Sequence, residues 1–493
     1  MTPTVERCVL GRDLWISRVL TGLWQVADME RNGRLMDLER ASASMEPYVA
    51  AGFTTFDMAD HYGSAELIAG IYKEREGAKS RAQFCTKWVP KPGRVTREEV
   101  HAAVDRALER LRVDSVDLLQ FHCWSYADPG WLDSLFALQE LREEGLIRNL
   151  GLTNFDTAHL RIVVASGIDI VSNQVSFSLL DQRASGRMSE YCLAHGIRLL
   201  AYGTVAGGWL TDKWLGKEEP DWEQSGTWSQ MKYGRFIRSV GGWTALQRVL
   251  RTVNDIAHRH NVSVANVASR FILEQPAVGG IIIGARLGAS EHIADNLRIF
   301  GFSLTAEDRA EIAQMLESLV PVHGDTGDEY RKPPFLTASG DLSHHLLALP
   351  APYGVKTGSD GRRRCSSGTP WEPLAGYSRA VRSGNRIIVS GTTATHGDRL
   401  VGGSDAAAQM HFVIDKIEGA LQSLGGSLED VIRTRVFVRN IDDWEPVARA
   451  HGERFRTILP ANTLVSAQLV AEQCLVEMEA EAEVIPVEQN AGR

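Results

Sequence analysis

The feature that most constrains this chain is a repeated pattern. Short apolar, β-branched runs recur eight times, each followed by a longer stretch with helical periodicity. The runs are RVLTG at 18–22, TTFDMAD at 54–60, QFCTK at 83–87, VDLLQFH at 116–122, IRNLGLTN at 147–154, DIVSNQV at 169–175, IRLLAYG at 197–203 and GGIIIGA at 279–285. Strands that alternate with helices pair in parallel, and eight of them predict a closed (β/α)8 barrel, an α/β fold. One helix start is plain at TREEVHAAVDRALERL, where Thr96 and Glu99 have capping-box spacing. Ahead of the first run, CVLGRDLWISRV alternates around Gly-Arg-Asp, which predicts a hairpin closing the barrel's bottom.

Barrels of this kind present reactive groups at the C-terminal ends of their strands. Three successive strand ends carry ionisable groups. Asp57 and Tyr62 flank the junction in TTFDMADHYGSAE, Lys87 ends QFCTKW, and His122 ends DLLQFHCW. Reducing a carbonyl by hydride transfer leaves an alkoxide, so an acid must stand beside the oxygen. A phenol with an ordinary pKa of about 10 is a weak acid at neutral pH. A nearby ammonium lowers that pKa, and a carboxylate beside the ammonium keeps it in place and charged. Those are the parts read for Tyr62 (acid), Lys87 (modulator) and Asp57 (its partner), with His122 orienting the substrate oxygen. Trp24, His61, Trp88 and Trp124 are candidates for the walls of an aromatic substrate pocket, with core packing as the competing explanation for each tryptophan.

The pattern D-x-A-x-x-Y-G, then a strand-end Lys, then a strand-end His resembles the aldo-keto reductases, over roughly residues 1–320. The resemblance implies the same roles at Asp57, Tyr62, Lys87 and His122, and a nicotinamide cofactor. No GxGxxG follows a strand, so a Rossmann site is not expected, but strand-end loops can bind the cofactor instead. By resemblance, Thr153, Asn154 and Gln174 hold the nicotinamide carboxamide and Tyr202 stacks on its ring. Gly22 and Trp24 would border the cofactor and substrate. The loop from Gly203 through Val205 and Gly207 to Leu210 would approach the pyrophosphate with backbone N–H groups. In GARLGASEHIADNL the family binds the adenosine ribose and its 2′-phosphate; Gly284, Arg286, His292 and Asn296 match those positions, in a segment about two residues longer than the common form. Arg286 favours NADPH over NADH.

Residues 203–242 form a Gly- and Trp-rich insertion between the seventh and eighth runs, which reads as a lid or binding loop. From Pro321 the periodicity breaks. Residues 321–370 carry Gly, Pro, Ser and the run Arg362-Arg363-Arg364, and read as a linker with a solvated basic patch. A smaller α+β domain is expected over 371–488, with one sheet and two long helices. Its GY, RIIVSG, LGGSLEDVIRTRVFV and PANT…VEMEAEAEV segments resemble the YjgF/Rid family of small trimeric domains. Active members of that family hydrolyse imines through a strand arginine. Leu469 falls at that position, Asn462 replaces an earlier arginine, and Tyr377 and Glu479 match other pocket positions. Leucine has no donors with which to hold a carboxylate. The resemblance therefore implies assembly, as a trimer, or substrate binding for this domain ahead of catalysis.

At 493 residues two domains are the expectation, and a formal net charge of −9 argues against nucleic acid or an anionic membrane as partner. No run of 18 apolar residues and no signal-peptide core occur, and Cys8, Cys85, Cys123, Cys192, Cys365 and Cys474 lack metal or CxxC spacing, so a cytoplasmic location without metal is expected. Three functions stay open: an NADPH-dependent reductase of a small carbonyl compound with an accessory Rid domain, an imine or iminium reductase, and a redox-sensing or scaffold module that binds nicotinamide.

Overall fold

A computed structural model of the chain describes residues 3–30, 33–222 and 226–485. The eight runs are eight strands: β1 (Val19–Gly22), β2 (Thr55–Asp57), β3 (Gln83–Trp88), β4 (Leu118–Phe121), β5 (Leu150–Thr153), β6 (Ser172–Ser176), β7 (Arg198–Tyr202) and β8 (Val278–Gly284). Neighbours pair in parallel, and β8 pairs with both β7 and β1, which closes the barrel. Helices cover the outside while side chains fill the inside, so these strands are buried on both faces. The expected hairpin is present as Arg7–Leu10 against Leu14–Ser17. Its Leu10, Leu14 and Ile16 pack with Leu20, Leu118 and Leu200 of the barrel interior. Both hydrogen bonds of the Thr96–Glu99 capping box are made.

Two helices of the outer layer matter below: α1 (Thr157–Ala165) and α2 (Trp228–Ser239), the latter inside the insertion between β7 and β8. The insertion is packed. Trp209, Trp214, Trp222 and Trp243 cluster with ring centroids 4.4–6.1 Å apart. Residues 223–225 of its Trp-rich stretch lie outside the described residues.

The stretch expected to be a linker carries structure of its own. Its first part lies on the rim of the barrel, where it forms the short helix α3 (Asp328–Arg331). Its last part supplies β9 (Gly354–Thr357) and β10 (Arg363–Ser366) to the C-terminal sheet. The other strands are β11 (Ala380–Ser383), β12 (Arg386–Thr393), β13 (Val431–Val438), β14 (Ala461–Ser466) and β15 (Val476–Glu483), in the order β9-β10-β11-β12-β15-β13-β14. Helices α4 (Ala406–Ser423) and α5 (Trp444–Phe455) accompany the sheet, and α4 packs against β12 and β15. The basic run is solvated at Arg362 and Arg364, which pair with Asp360, while Arg363 between them turns to the fold. Arg363 donates to the carbonyls of Ser423 and Leu424, and Arg382 joins it on Leu424 and Gly425. Cations belong at a helix C-terminus, where the last carbonyls have no partners within the helix. Positions 486–488 of the expected second domain lie outside the described residues.

The two units meet through α1 and α4. His159 of α1 lies between two carboxylates, 2.6 Å from Asp156 and 3.0 Å from Asp415 of α4. Arg454 of α5 also reaches Asp415, at 2.5 Å, and Arg161 reaches Asp405 at 2.6 Å. Burial lowers a histidine's affinity for protons, but here the carboxylates outweigh it and hold the His159 pKa above its ordinary value. Among the described residues no helix is long and apolar enough to cross a membrane.

Candidate active site

Each strand of the barrel delivers its last residues to one rim, and the sequence-derived residues collect there. Asp57 ends β2, Lys87 lies one residue before the end of β3, and His122 follows β4 directly. The Lys87 ammonium is buried and spends its donors at once, on Asp57 Oδ1 and Oδ2 at 2.8 Å each and on the Met58 carbonyl at 2.7 Å. Asp57 Oδ1 also accepts from Gln174 Nε2 at 2.7 Å and from Gln120 Nε2 at 3.5 Å. Such a fully bonded pair is rigid, because separating it would leave a buried charge without its counter-charge.

Tyr62 sits on the turn after β2, and the Lys87 Nζ lies 4.9 Å from its ring centroid. This arrangement differs from the expectation in one respect. The phenol pKa is held well above its ordinary value, first by burial and next by the Asp57 carboxylate. The ammonium lies over the ring face, and its charge is matched by Asp57, so it does not pull the phenol down. Tyr62 thus keeps its proton at neutral pH.

His122 is buried, and burial followed by the nearby Arg331 guanidinium pushes its pKa well below the ordinary value, which leaves the imidazole neutral. Its Nδ1 faces the Thr153 carbonyl at 3.4 Å, while Nε2 is buried with no hydrogen-bond partner. A neutral imidazole has one proton. Because the Thr153 contact is long, moving that proton to Nε2 sacrifices little and makes Nε2 a donor toward a ligand oxygen.

The walls are aromatic. Trp24 stands 5.0 Å from Tyr62 and 5.8 Å from Trp228 of α2, and His61 lies 4.8 Å from Tyr62, all between ring centroids. Trp124 is 4.5 Å from His122 and donates its indole N–H to the Pro90 carbonyl. Trp88 differs. It is buried and packs against Phe121 at 5.5 Å as part of the core. A cavity beside His122 is bounded by Phe121, Trp124 and Trp131 and by Leu349 and Pro350 of the connecting stretch.

Sequence reasoning missed what that stretch brings. Tyr330 of α3 lies 5.9 Å from His122 between ring centroids, its hydroxyl 3.3 Å from the Tyr202 hydroxyl. Lys232 of α2 donates to the Tyr330 hydroxyl at 2.7 Å. His345 stands 4.7 Å from Trp124. A region without periodicity gave no sign that it would fold onto the barrel mouth.

The model for the aldo/keto reductase family matches residues 18–317 of this chain. The chain belongs to the aldo/keto reductase family. A second match, to the model described as Endoribonuclease L-PSP, covers residues 369–484 and marks the C-terminal unit as a YjgF/Rid domain. An uncharacterised protein of Streptomyces coelicolor is 41% identical over 125 residues, 25% of this chain and 93% of its own. The chloroplast pyridoxal reductase of Arabidopsis thaliana is 26% identical over 279 residues, 53% of this chain and 72% of its own. Among solved structures, a glycerol dehydrogenase from Gluconobacter oxydans shares the fold, with a TM-score of 0.54 at 22% identity over 65% of this chain and 97% of its own. This aldo/keto reductase is accordingly an oxidoreductase of a family that uses NAD(P)H and acts on carbonyl compounds.

The residues available to a dinucleotide lie along the same rim. Gly203 and Gly207, with φ +82° and +64°, shape the turn after β7, where an added Cβ would run into Tyr233 and Ser229; Gly208 N and Leu210 N turn back to the Val205 carbonyl. Gly22 and Gly284 end the paired strands β1 and β8. Arg286 is half-exposed with Asp28 at 3.5 Å, His292 directly precedes the helix Ile293–Arg298, and Asn296 lies on it. A guanidinium, an imidazole and an amide in one exposed stretch are donors that suit a phosphate ester. The carboxamide side is more occupied than expected. Gln174 Nε2 is turned to Asp57 and Gln120, Thr153 Oγ1 donates to the Gln174 carbonyl, and Asn154 Oδ1 accepts from Tyr202 at 2.7 Å.

In the Rid domain Leu469 is buried, Asn462 donates to Thr434, Tyr377 accepts from Arg379 at 3.3 Å, and Glu479 pairs with Arg435. Tyr377 and Glu479 therefore have separate partners. The sheet face away from α4 carries Arg386, Arg433 and Arg435 against Glu479 and Glu481, with Ile388 exposed beside them.

Proposed function

We propose that the barrel unit, 1–320, is an NADPH-dependent reductase of small aldehydes or ketones with Tyr62 as the general acid. The observation that carries this reading is the Lys87–Asp57 pair beneath the Tyr62 ring, with the unpartnered Nε2 of His122 beside it. His122 receives and orients the carbonyl oxygen. As charge grows on that oxygen it becomes a stronger base than a phenolate in this buried site, and the Tyr62 proton moves to it. Lys87, pinned by Asp57, holds the Tyr62 ring from its face for that transfer. The nicotinamide, when bound, supplies the hydride. Thr153, Asn154, Gln174 and Tyr202 would hold its ring end and Arg286, His292 and Asn296 its 2′-phosphate, which favours NADPH. Trp24, His61 and Trp124 wall the substrate pocket.

The Rid unit, 371–488, serves assembly or substrate binding. Leu469 at the arginine position supports this, and so does the open sheet face, which fits a trimer interface. The six free cysteines suit a cytoplasmic location. The fused Rid domain also favours a second reading, reduction of an imine or iminium carbon. Turnover of simple aldehydes against cyclic imines, each with NADPH and NADH, tests both. Aldehyde turnover with NADPH is expected. Preference for imines supports the second reading, and no turnover of either class refutes both.

A further inference from the structure

Lys232 is an ammonium held in an aromatic cage at the barrel mouth. The ring centroids of Tyr202, Tyr330 and Tyr233 lie 4.6, 4.8 and 5.4 Å from its Nζ. It donates a hydrogen bond to the Tyr330 hydroxyl at 2.7 Å, and among the described residues no carboxylate stands within ion-pair distance of it. Glu329, the carboxylate adjacent in sequence to Tyr330, is turned to Arg183 at 2.9 Å and lies 3.3 Å from the Tyr202 hydroxyl, whose proton goes to Asn154. An ammonium has three donors. Ring faces compensate a desolvated cation only in part, so two donors and most of the charge are left for an anion.

The position of Tyr330 is fixed by the segment that carries it. Arg331 donates to the Cys123 and Asn154 carbonyls at 2.7 Å each, and Thr326 Oγ1 donates to the Phe155 carbonyl at 2.9 Å. Gly327 lies so close to the Asn154 carbonyl that a Cβ would not fit. Tyr330 thereby spans the space between Lys232 and His122, its ring centroid 5.9 Å from that of the imidazole. Having accepted a hydrogen bond from Lys232, its hydroxyl still has its own proton to give.

We infer that Lys232 and Tyr330 form an anion subsite of the substrate pocket, selecting carbonyl compounds that carry a carboxylate a few bonds from the reacting carbon. This rests on the reading of His122 as the group that receives the carbonyl oxygen. The carboxylate accepts from the Lys232 ammonium and the Tyr330 hydroxyl while the carbonyl reaches His122. A barrel ended before residue 321 would lack half of this subsite.

The test compares 3-carboxybenzaldehyde with its methyl ester, which has the same shape and no charge. With NADPH the wild type is expected to favour the acid in kcat/KM by about 10- to 100-fold, the range for hydrogen bonds to charged groups. Lys232→Met brings that ratio to about one, Tyr330→Phe lowers it by less, and Lys232→Arg retains it. The ratio needs no assumption about variant stability, because both substrates meet the same enzyme. A wild-type ratio near one overturns the subsite. So does a ratio unchanged by Lys232→Met with NADPH binding weakened in a tryptophan-fluorescence titration, which would assign the ammonium to the cofactor's phosphates. Failure of the reductase reading has a different mark: neither aldehyde is turned over by the wild type, and the subsite falls with it.

Discussion

Asp415→Ala should uncouple the two units of this protein. Asp415 is almost fully buried on α4, where it accepts from His159 of the barrel at 3.0 Å and from Arg454 at 2.5 Å. Removing it leaves two cations with one carboxylate partner each, Asp156 for His159 and Glu418 for Arg454. Breaking one side of a buried ion pair costs about 3–5 kcal/mol. At roughly 2–4 °C per kcal/mol for domains of this size, the thermal midpoint should fall by about 10 °C. The pH dependence has a definite sign. His159 is held above its ordinary pKa, so its contribution is complete below about pH 6.5 and fades as pH rises through the higher folded value. Asp415 is held below its ordinary pKa, chiefly by His159 and Arg454 against the effect of burial, so its contribution is lost only as pH falls below about 4. Asp325, pushed up to about 6 by burial and by Asp156, also makes the fold less stable as pH rises, because the folded chain keeps a proton the unfolded chain has released. The wild type should therefore be most strongly coupled between about pH 4 and 6.5, with a single transition by far-UV circular dichroism and by fluorescence. Most of the tryptophans lie in the barrel, so fluorescence follows that unit. In Asp415→Ala the two probes should separate, and the alkaline loss should shrink. A midpoint within about 2 °C of the wild type with coincident transitions would refute the reasoning.

Gly327→Ala should loosen the mouth: φ is +85° and the new Cβ meets the Asn154 carbonyl, so a cost of about 1–2 kcal/mol before any clash is expected, with a raised KM for aldehydes. Equal stability and KM would show that the segment does not rest on the rim in solution. The reductive rate should be flat from about pH 6 to pH 9, because burial keeps Tyr62 protonated and His122 neutral across that range. An alkaline limb near pH 8 in the chemical step would contradict the raised phenol pKa. On the open face of the Rid sheet, Ile388→Glu should convert a particle of three times the chain mass into one of chain mass by light scattering. A wild type that is already monomeric removes the trimer.

Eight strands and the polar residues at their ends were legible in the sequence because a parallel barrel needs unbroken apolar runs, against which such residues stand out. Asp57, Lys87 and His122 could be read in this way. The state of Tyr62 could not, since it depends on where the ammonium lies relative to the ring and on how Asp57 is shared with Gln174 and Gln120. The connecting stretch misled for a physical reason. Its order comes from single side chains meeting backbone carbonyls elsewhere, such as Arg331 on Cys123 and Asn154 or Arg363 on Leu424, and such bonds leave no periodic trace.

The proton donor is the centre of this account, and Tyr62→Phe tests it most directly. NADPH should bind the variant with unchanged affinity by fluorescence titration, while aldehyde reduction falls by about 100-fold or more, the scale of a lost general acid. Reduction at the wild-type rate by a variant that binds NADPH normally would show that another group supplies the proton.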